Sequence, residues 1–278
     1  MLETFQHPFM QRAVIEIALL APLAGLFGAQ IVLRRLAFYS HSVGAAAFPG
    51  VVVAGPAGVP AWLGALATAG CFATLLQRLG RRPGTVAIDA VTALLLVTAL
   101  AVGIVLAGDV FHTDVEAERA LFGSLLAIGP EQLRFSAFAL ALALLAALRF
   151  RPAWLAGGFD PASTRSLGLP AGAELALVVV IAVAAVASID AAGSLLVAAI
   201  LVVPAATVRP FARSVVALEL GAGALAFAEG IGGLLIADQL DVPPGAAIAV
   251  LGGSVFALAL ALRSLGASRA TAIGEAAA

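Results

Sequence analysis

Residues 87–107 read AIDAVTALLLVTALAVGIVLA, and between Asp89 and Asp109 there is no charged side chain. A helix rises about 1.5 Å per residue, so a run of this length matches the apolar thickness of a bilayer, about 30 Å. Working outward with a window of about 19 residues, comparable runs fall at 13–33, 43–61, 62–79, 133–150, 172–188, 193–208, 215–237 and 244–263. The expected fold is all-α, a polytopic transmembrane helix bundle of about nine spans. The second and seventh runs are interrupted by Pro49 and Pro204. Either can be a re-entrant or broken helix, because irregular backbone at membrane depth is tolerated where it is buried in protein or lines a cavity; eight spans is then the alternative.

Composition agrees with a membrane solvent. Hydrophobic residues make up 62% of the chain and charged residues 11%, against roughly half and a quarter in soluble domains. A net charge of −1 and the absence of a basic cluster argue against a nucleic-acid partner, which demands several cations together. Every cation is an arginine. A phosphate-binding Walker loop needs a lysine, so any ATP is hydrolysed by another chain. No nucleophile–base pair, HExxH or glycine-rich nucleotide loop is present, and the chain is not expected to be an enzyme. Cys71 is the single cysteine and excludes an intramolecular disulfide. The first apolar run lacks a basic leader and a cleavage pattern, and it is followed by Arg34 and Arg35, so it reads as a retained helix.

Cytoplasmic loops retain positive charge, which orients the bundle. With nine spans and the N-terminus outside, the inner loops hold Arg34, Arg35, Arg78, Arg81, Arg82, Arg149, Arg151, Arg165, Arg209, Arg213, Arg263 and Arg269. Only Arg12, Arg134 and Arg119 are left outside. Removing one crossing scrambles this segregation, so the odd count and a cytoplasmic C-terminus are preferred. Residues 1–263 form one membrane domain, and 264–278 are expected to be a disordered cytoplasmic tail. Small residues at three- and four-residue spacing, Ala21, Gly25 and Gly28, then Ala99 and Gly103, mark close helix contacts.

Several positions can carry chemistry. His41 sits at the inner end of the second run, two turns before Pro49 and Gly50. It is either an imidazole offered to a passing metal ion or an interfacial histidine bonded to water or a carbonyl. In the longest inner loop, Asp160-Pro161 starts and Gly168 stops a short polar helix containing Arg165 and Leu167. It can dock on a partner or simply cap a loop. Gly193 and Pro204 suggest a discontinuous helix of the kind transporters place near substrate, or alternatively a filled kink. Glu16, Glu219 and Glu229 lie inside spans, where acids are costly and so functional candidates by default. Glu219 and Glu229 stand about 15 Å and about 80° apart on one helix, so they serve separate layers of a pathway or each pairs with a neighbouring arginine; Glu16 reads as structurally paired. His112, Asp114 and Glu116 alternate in an outer loop. An extended strand would align them for metal collection, and a solvated acidic loop is the other reading.

Seven pieces occur in a recognisable order: Pro8 to Ala13, Gly28 to Arg35, Phe48-Pro49-Gly50, Leu121-Phe122-Gly123-Ser124, Phe159-Asp160-Pro161 to Leu167-Gly168, Gly193-Ser194-Leu195-Leu196 to Val203-Pro204-Ala205-Ala206, and Leu240 to Gly245. Together they resemble the ABC-3 family of metal-type ABC permeases, over nearly the whole chain. The resemblance implies a multi-pass permease subunit of the bacterial inner membrane. It would work as a homodimer, with a cytoplasmic ABC ATP-binding subunit that carries the ATP and an extracytoplasmic metal-binding protein. The cargo implied is zinc or manganese, with iron as a further option and no permanently bound cofactor. In this likeness the Asp160–Gly168 segment is the coupling helix that meets the ATPase. The family pattern has an aspartate and, four residues on, a histidine before the Pro-Gly turn; here those places hold His41 and Ala45. One ligand is exchanged and one is lost. The alternatives are a proton-coupled secondary carrier using Glu219 and Glu229, or a permease of the same architecture for iron-chelate or corrinoid cargo.

Overall fold

Pro8 opens the first helix from an extended His7, a position where its missing N–H costs nothing. The computed structural model describes residues 7–80, 88–112, 121, 123, 125–159, 170, 172–194 and 197–276. Among these residues every regular element is helical: α1 (Pro8–Leu33), α2 (Ala37–Ala46), α3 (Phe48–Ala54), α4 (Ala61–Gly80), α5 (Ile88–Val105), α6 (Pro130–Phe159), α7 (Ala173–Ala192), α8 (Val197–Leu201), α9 (Val203–Val208), α10 (Val215–Leu240) and α11 (Pro244–Ala276). A wider π-turn, Leu106–Val110, extends α5, and a short 3-10 turn spans Leu125–Ala127. Helical backbone continues past Arg263, where the sequence suggests a disordered tail.

Among the described residues six stretches are long and apolar enough to cross a membrane: Pro8–Leu33, Ala37–Ala54, Asp89–Val110, Pro130–Phe159, Val215–Leu240 and Pro244–Ser264. Shorter apolar helices occupy Ala61–Leu76, Ala173–Ile189 and Val197–Val208. The chain is therefore a multi-pass membrane protein. Leu94, Val97, Leu145, Leu148 and Val250 point outward, with Leu148 83% exposed; in a bilayer such a surface meets lipid tails.

Local chemistry sets the helix ends. Ser214 caps α10 by accepting a hydrogen bond from the Ala217 N–H at 3.1 Å. Asp241 adopts φ 54° at the other end, and Pro243 and Pro244 follow. α1 ends in a Schellman turn: the Leu36 N–H reaches the Ile31 carbonyl at 2.8 Å while Arg35 takes φ 59°. A non-glycine residue pays roughly 1–2 kcal/mol for that conformation.

α1 is the hub, packed along α10 and touching α6, α7, α8 and α9. Glycines singled out in the sequence sit at helix contacts here and between α3 and α5. A side chain at Gly25 would meet Gly223 and the Glu219 carbonyl, and one at Gly28 would strike the Leu201 carbonyl. Gly103 receives the ring of Phe48. Lipid tails are as apolar as leucine, so such helices associate by close packing and hydrogen bonding rather than by the hydrophobic effect. Close backbone approach is what glycine permits there.

Arginine-bearing termini collect at one end of the bundle. Arg34, Arg35, Gly157, Gly158 and Glu174 line one crevice there. Arg209, Arg213, Arg263 and Phe159 line another. Trp62 and Glu131 meet at the starts of α4 and α6, where the Trp62 indole N–H donates to Glu131 at 3.3 Å.

Candidate functional site

His41 lies half-buried on α2, a helix set among α4, α5, α7 and α8. Ala45, one turn on and on the same face, is fully buried, as is Ser42, whose hydroxyl has no hydrogen-bond partner. Gly44 meets Val197 of α8. The chain breaks at Ala47, and Pro49 falls in the first turn of α3. The break is bridged from α4: the Thr68 hydroxyl lies 3.2 Å from the Ala47 carbonyl. Gly50 then packs directly on the Gly64 backbone. A polar hydroxyl thus supports a carbonyl at the discontinuity, as membrane helices require.

The second discontinuity has the same ingredients. Gly193 stops α7 with φ 80°. Ser194 follows, fully buried and with its hydroxyl unpartnered. α8 ends at Leu201, and Pro204 falls in the first turn of α9. Both interrupted runs are therefore two-part helices. Pro204 and Glu229 line one small cavity of about 20 Å³ with Ile17, Leu20 and Ile200. Glu229 is 3% exposed, its Oε1 has no hydrogen-bond partner, and its Oε2 faces Gly252. The sequence marks Pro204 and Glu229 separately; only the packing of α9 on α10 brings them together.

Glu219 stands apart from this cavity. Its Oε2 pairs with Arg151 of α6 at 2.5 Å, the arginine partnership weighed from the sequence. Glu16, fully buried on α1, accepts from the Ser136 hydroxyl at 2.6 Å. Among the described residues no three of His, Cys, Asp and Glu gather as a metal-holding group. His41, Glu219 and Glu229 are thus not one closed site within this chain.

Asp160, Arg165, Leu167 and Gly168 lie outside the described residues, but the two helices that bracket them are firmly tied. Trp154 of α6, 1% exposed, donates its indole N–H to the Ala173 carbonyl of α7 at 2.7 Å. Its ring meets Phe27 of α1 edge-on and stacks on Phe150. Arg34 at the end of α1 donates to the Trp154 carbonyl and to Glu174 Oε2, each at 2.5 Å. Both stems of the 160–169 segment are joined to each other and to the residue from which the chain turns into α2. Sequence reading missed Trp154 and Glu174. The only available signal was a tryptophan and an acid flanking the polar loop.

His112 is exposed after the π-turn, with φ 52° and its Nδ1 2.7 Å from the Gly108 carbonyl. Asp114 and Glu116 lie outside the described residues, so the alternating trio is seen only at its first member.

Multiple membrane-crossing helices define a polytopic helical membrane protein, and the breaks in Ala37–Ala54 and in the shorter Val197–Val208 run beside buried polar groups are of the kind transporters use. The chain belongs to the ABC 3 transport family, whose pattern it matches over residues 6–263. It is 28% identical over 259 residues to the manganese transport system membrane protein MntC of Halalkalibacterium halodurans, covering 92% of this chain and 88% of that one. To the chelated iron transport system membrane protein YfeD of Yersinia pestis it is 27% identical, covering 93% and 86%. Its fold superimposes with a TM-score of 0.85 on a chain of PsaBC from Streptococcus pneumoniae in complex with Fab, at 23% identity and 93% coverage of each.

Proposed function

We propose that this chain is the membrane-spanning subunit of an ATP-driven importer of divalent metal ions. It would cross the bacterial inner membrane nine times, N-terminus outside and C-terminus in the cytoplasm. The family match over 6–263 carries the reading, and relatives named for manganese and chelated iron support manganese or iron as cargo; zinc, implied by the sequence resemblance, is the competing ion. The ends of α1, α6 and α9, the start of α10 and Arg263 of α11 meet at one arginine-lined cavity, and the starts of α4 and α6 meet through Trp62 and Glu131, which supports nine crossings. A second copy would complete the pathway, since one copy gathers no closed metal site among its described residues. His41 offers a single transient contact, and alternating access would be driven by a separate ATPase meeting the 160–168 segment. An extracytoplasmic binding protein would deliver the ion.

The test is uptake in proteoliposomes holding this chain, its ATPase and its binding protein. Manganese uptake should require ATP, and iron and zinc competition should rank the cargo. Uptake driven by a proton gradient with the ATPase absent would overturn the reading. In the same assay His41→Ala should lower uptake on the order of tenfold, equivalent to ~1.4 kcal/mol, with ATPase assembly intact. Unchanged uptake would remove His41 from the path. Glu229→Gln conserves shape, so ATP-driven uptake should survive it within a few fold. A proton-coupled carrier would lose uptake.

A further inference from the structure

The arginine-rich end holds a cavity of about 590 Å³ between the last turn of α1, the α9–α10 connection and α11. Arg209, Arg213 and Arg263 line it, and among the described residues no acidic side chain does. The ion pairs formed by described residues are Arg34 with Glu174 and Arg151 with Glu219, so among the described residues these three cations have no carboxylate partner. The rest of the wall is largely apolar and comes from the helices themselves, including Leu33, Leu218, Phe256 and Leu260. Beside it Phe211 and Val216 stand exposed.

This arrangement has a chemical meaning. α1 ends at Leu33, α9 at Val208, and α10 begins at Val215, so the cavity lies at the level where helices leave the apolar zone. A planar guanidinium presents a fork of donors matched to phosphate oxygens, and uncompensated basic pockets between membrane helices suit acidic head groups. Exposed aromatic and aliphatic side chains next to cations form the amphipathic surface of a membrane interface. We infer that Arg209, Arg213 and Arg263 seat the phosphodiester head group of an anionic phospholipid, whose chains lie along the apolar wall of α10 and α11. The occupant would bridge the α9–α10 connection, which follows the broken α8–α9 pair, to α11. The inference needs only that the chain is a membrane protein, and it stands or falls independently of cargo and energy source.

The experiment follows lipid binding to the purified full chain in neutral detergent by native mass spectrometry and thermal unfolding. Phosphatidylglycerol should bind and raise the unfolding midpoint by a few degrees, while phosphatidylcholine and inorganic phosphate at equal concentration should not. The combined substitution Arg209→Gln, Arg213→Gln, Arg263→Gln should weaken phosphatidylglycerol binding at least tenfold. Replacing Arg12, Arg78 and Arg134 by glutamine, an equal change in net charge, should leave it intact. Equal binding of phosphatidylcholine, an equal effect of phosphate, or an equal loss in the control variant would each overturn the site. So would a triple variant that keeps its lipid but no longer holds the ATPase, since the cavity would then be a docking face for that subunit. Should the triple variant not fold, photoreactive phosphatidylglycerol on the unmodified protein decides: labelling should fall on residues 209–218 and 256–263, and labelling elsewhere overturns the proposal.

Discussion

Trp154→Ala is expected to give the largest loss of stability of any single truncation in this chain. The side chain is 1% exposed and touches three helices. Truncating a buried tryptophan in a soluble protein costs about 3–5 kcal/mol. That is an upper bound here, because lipid tails remove the hydrophobic part of helix association and leave packing and hydrogen bonding. Trp154→Phe separates the two. It keeps a ring against Phe27 and gives up only the N–H donated to Ala173, a net loss of about 0.5–1.5 kcal/mol. The order of unfolding midpoints in detergent should be wild type, Trp154→Phe, Trp154→Ala; two variants of equal stability would mean that ring packing is not what Trp154 contributes. The loss bears on function through its place. Trp154 and Arg34 hold the two stems of the 160–169 segment to the end of α1, so a loosened junction would let a partner push on that segment without moving α2. ATP hydrolysis per ion transported should therefore rise in the variant that still folds.

Much of this was legible in the sequence, for a reason peculiar to membranes. A helix that must cross a bilayer writes its length as an apolar run, so 87–107 became Ile88–Val105 with its π-turn, 215–237 became Val215–Leu240, and the run beginning at 244 became α11. Pro49 and Pro204 located both breaks, each falling in the first turn after the interruption where a missing N–H is tolerated, whereas Pro22 and Pro152 sit inside continuous helices. The second run was misplaced by several residues. Phe38 to Ser42 are too polar to score as a span, yet the turn at Arg35 starts α2 at Ala37; Gly55 to Val59, apolar enough to count, form turns after α3. Pairings between helices were not legible. Nothing in hydropathy ties Arg34 to Glu174 or Arg151 to Glu219, separated by 140 and 68 positions, since a single sequence records which residues must be satisfied but not by whom. The same ignorance hid the meeting of Pro204 with Glu229, which depends on which helices lie side by side.

The contact between α3 and α4 makes the second large prediction, and it contains its own control. Gly50 and Gly64 face each other so closely that a Cβ on either would overlap the other's backbone, and at Gly50 it would also meet the Thr68 hydroxyl. A backbone carbonyl cannot step aside as a flexible side chain can, so the helices must part. Gly50→Ala and Gly64→Ala should each lower stability by about 1–3 kcal/mol, the usual cost of overpacking, and Gly50→Leu should prevent folding of this half of the bundle. Gly70 lies on the same helix as Gly64 and has open space where its Cβ would be. Gly70→Ala should be neutral or stabilising by up to about 1 kcal/mol, since glycine is the poorer helix former. Equal unfolding midpoints for Gly50→Ala and Gly70→Ala would show that the close approach does not limit packing. The consequence for transport follows from position: Gly50 comes three residues after the Ala47 break, whose carbonyl is supported by Thr68. Separating α3 from α4 withdraws that support and shifts the helix carrying His41. Gly50→Ala should therefore depress metal uptake by more than its loss of folded protein explains, whereas Gly70→Ala, on the facing helix α4 but away from the contact, should leave uptake per folded molecule unchanged.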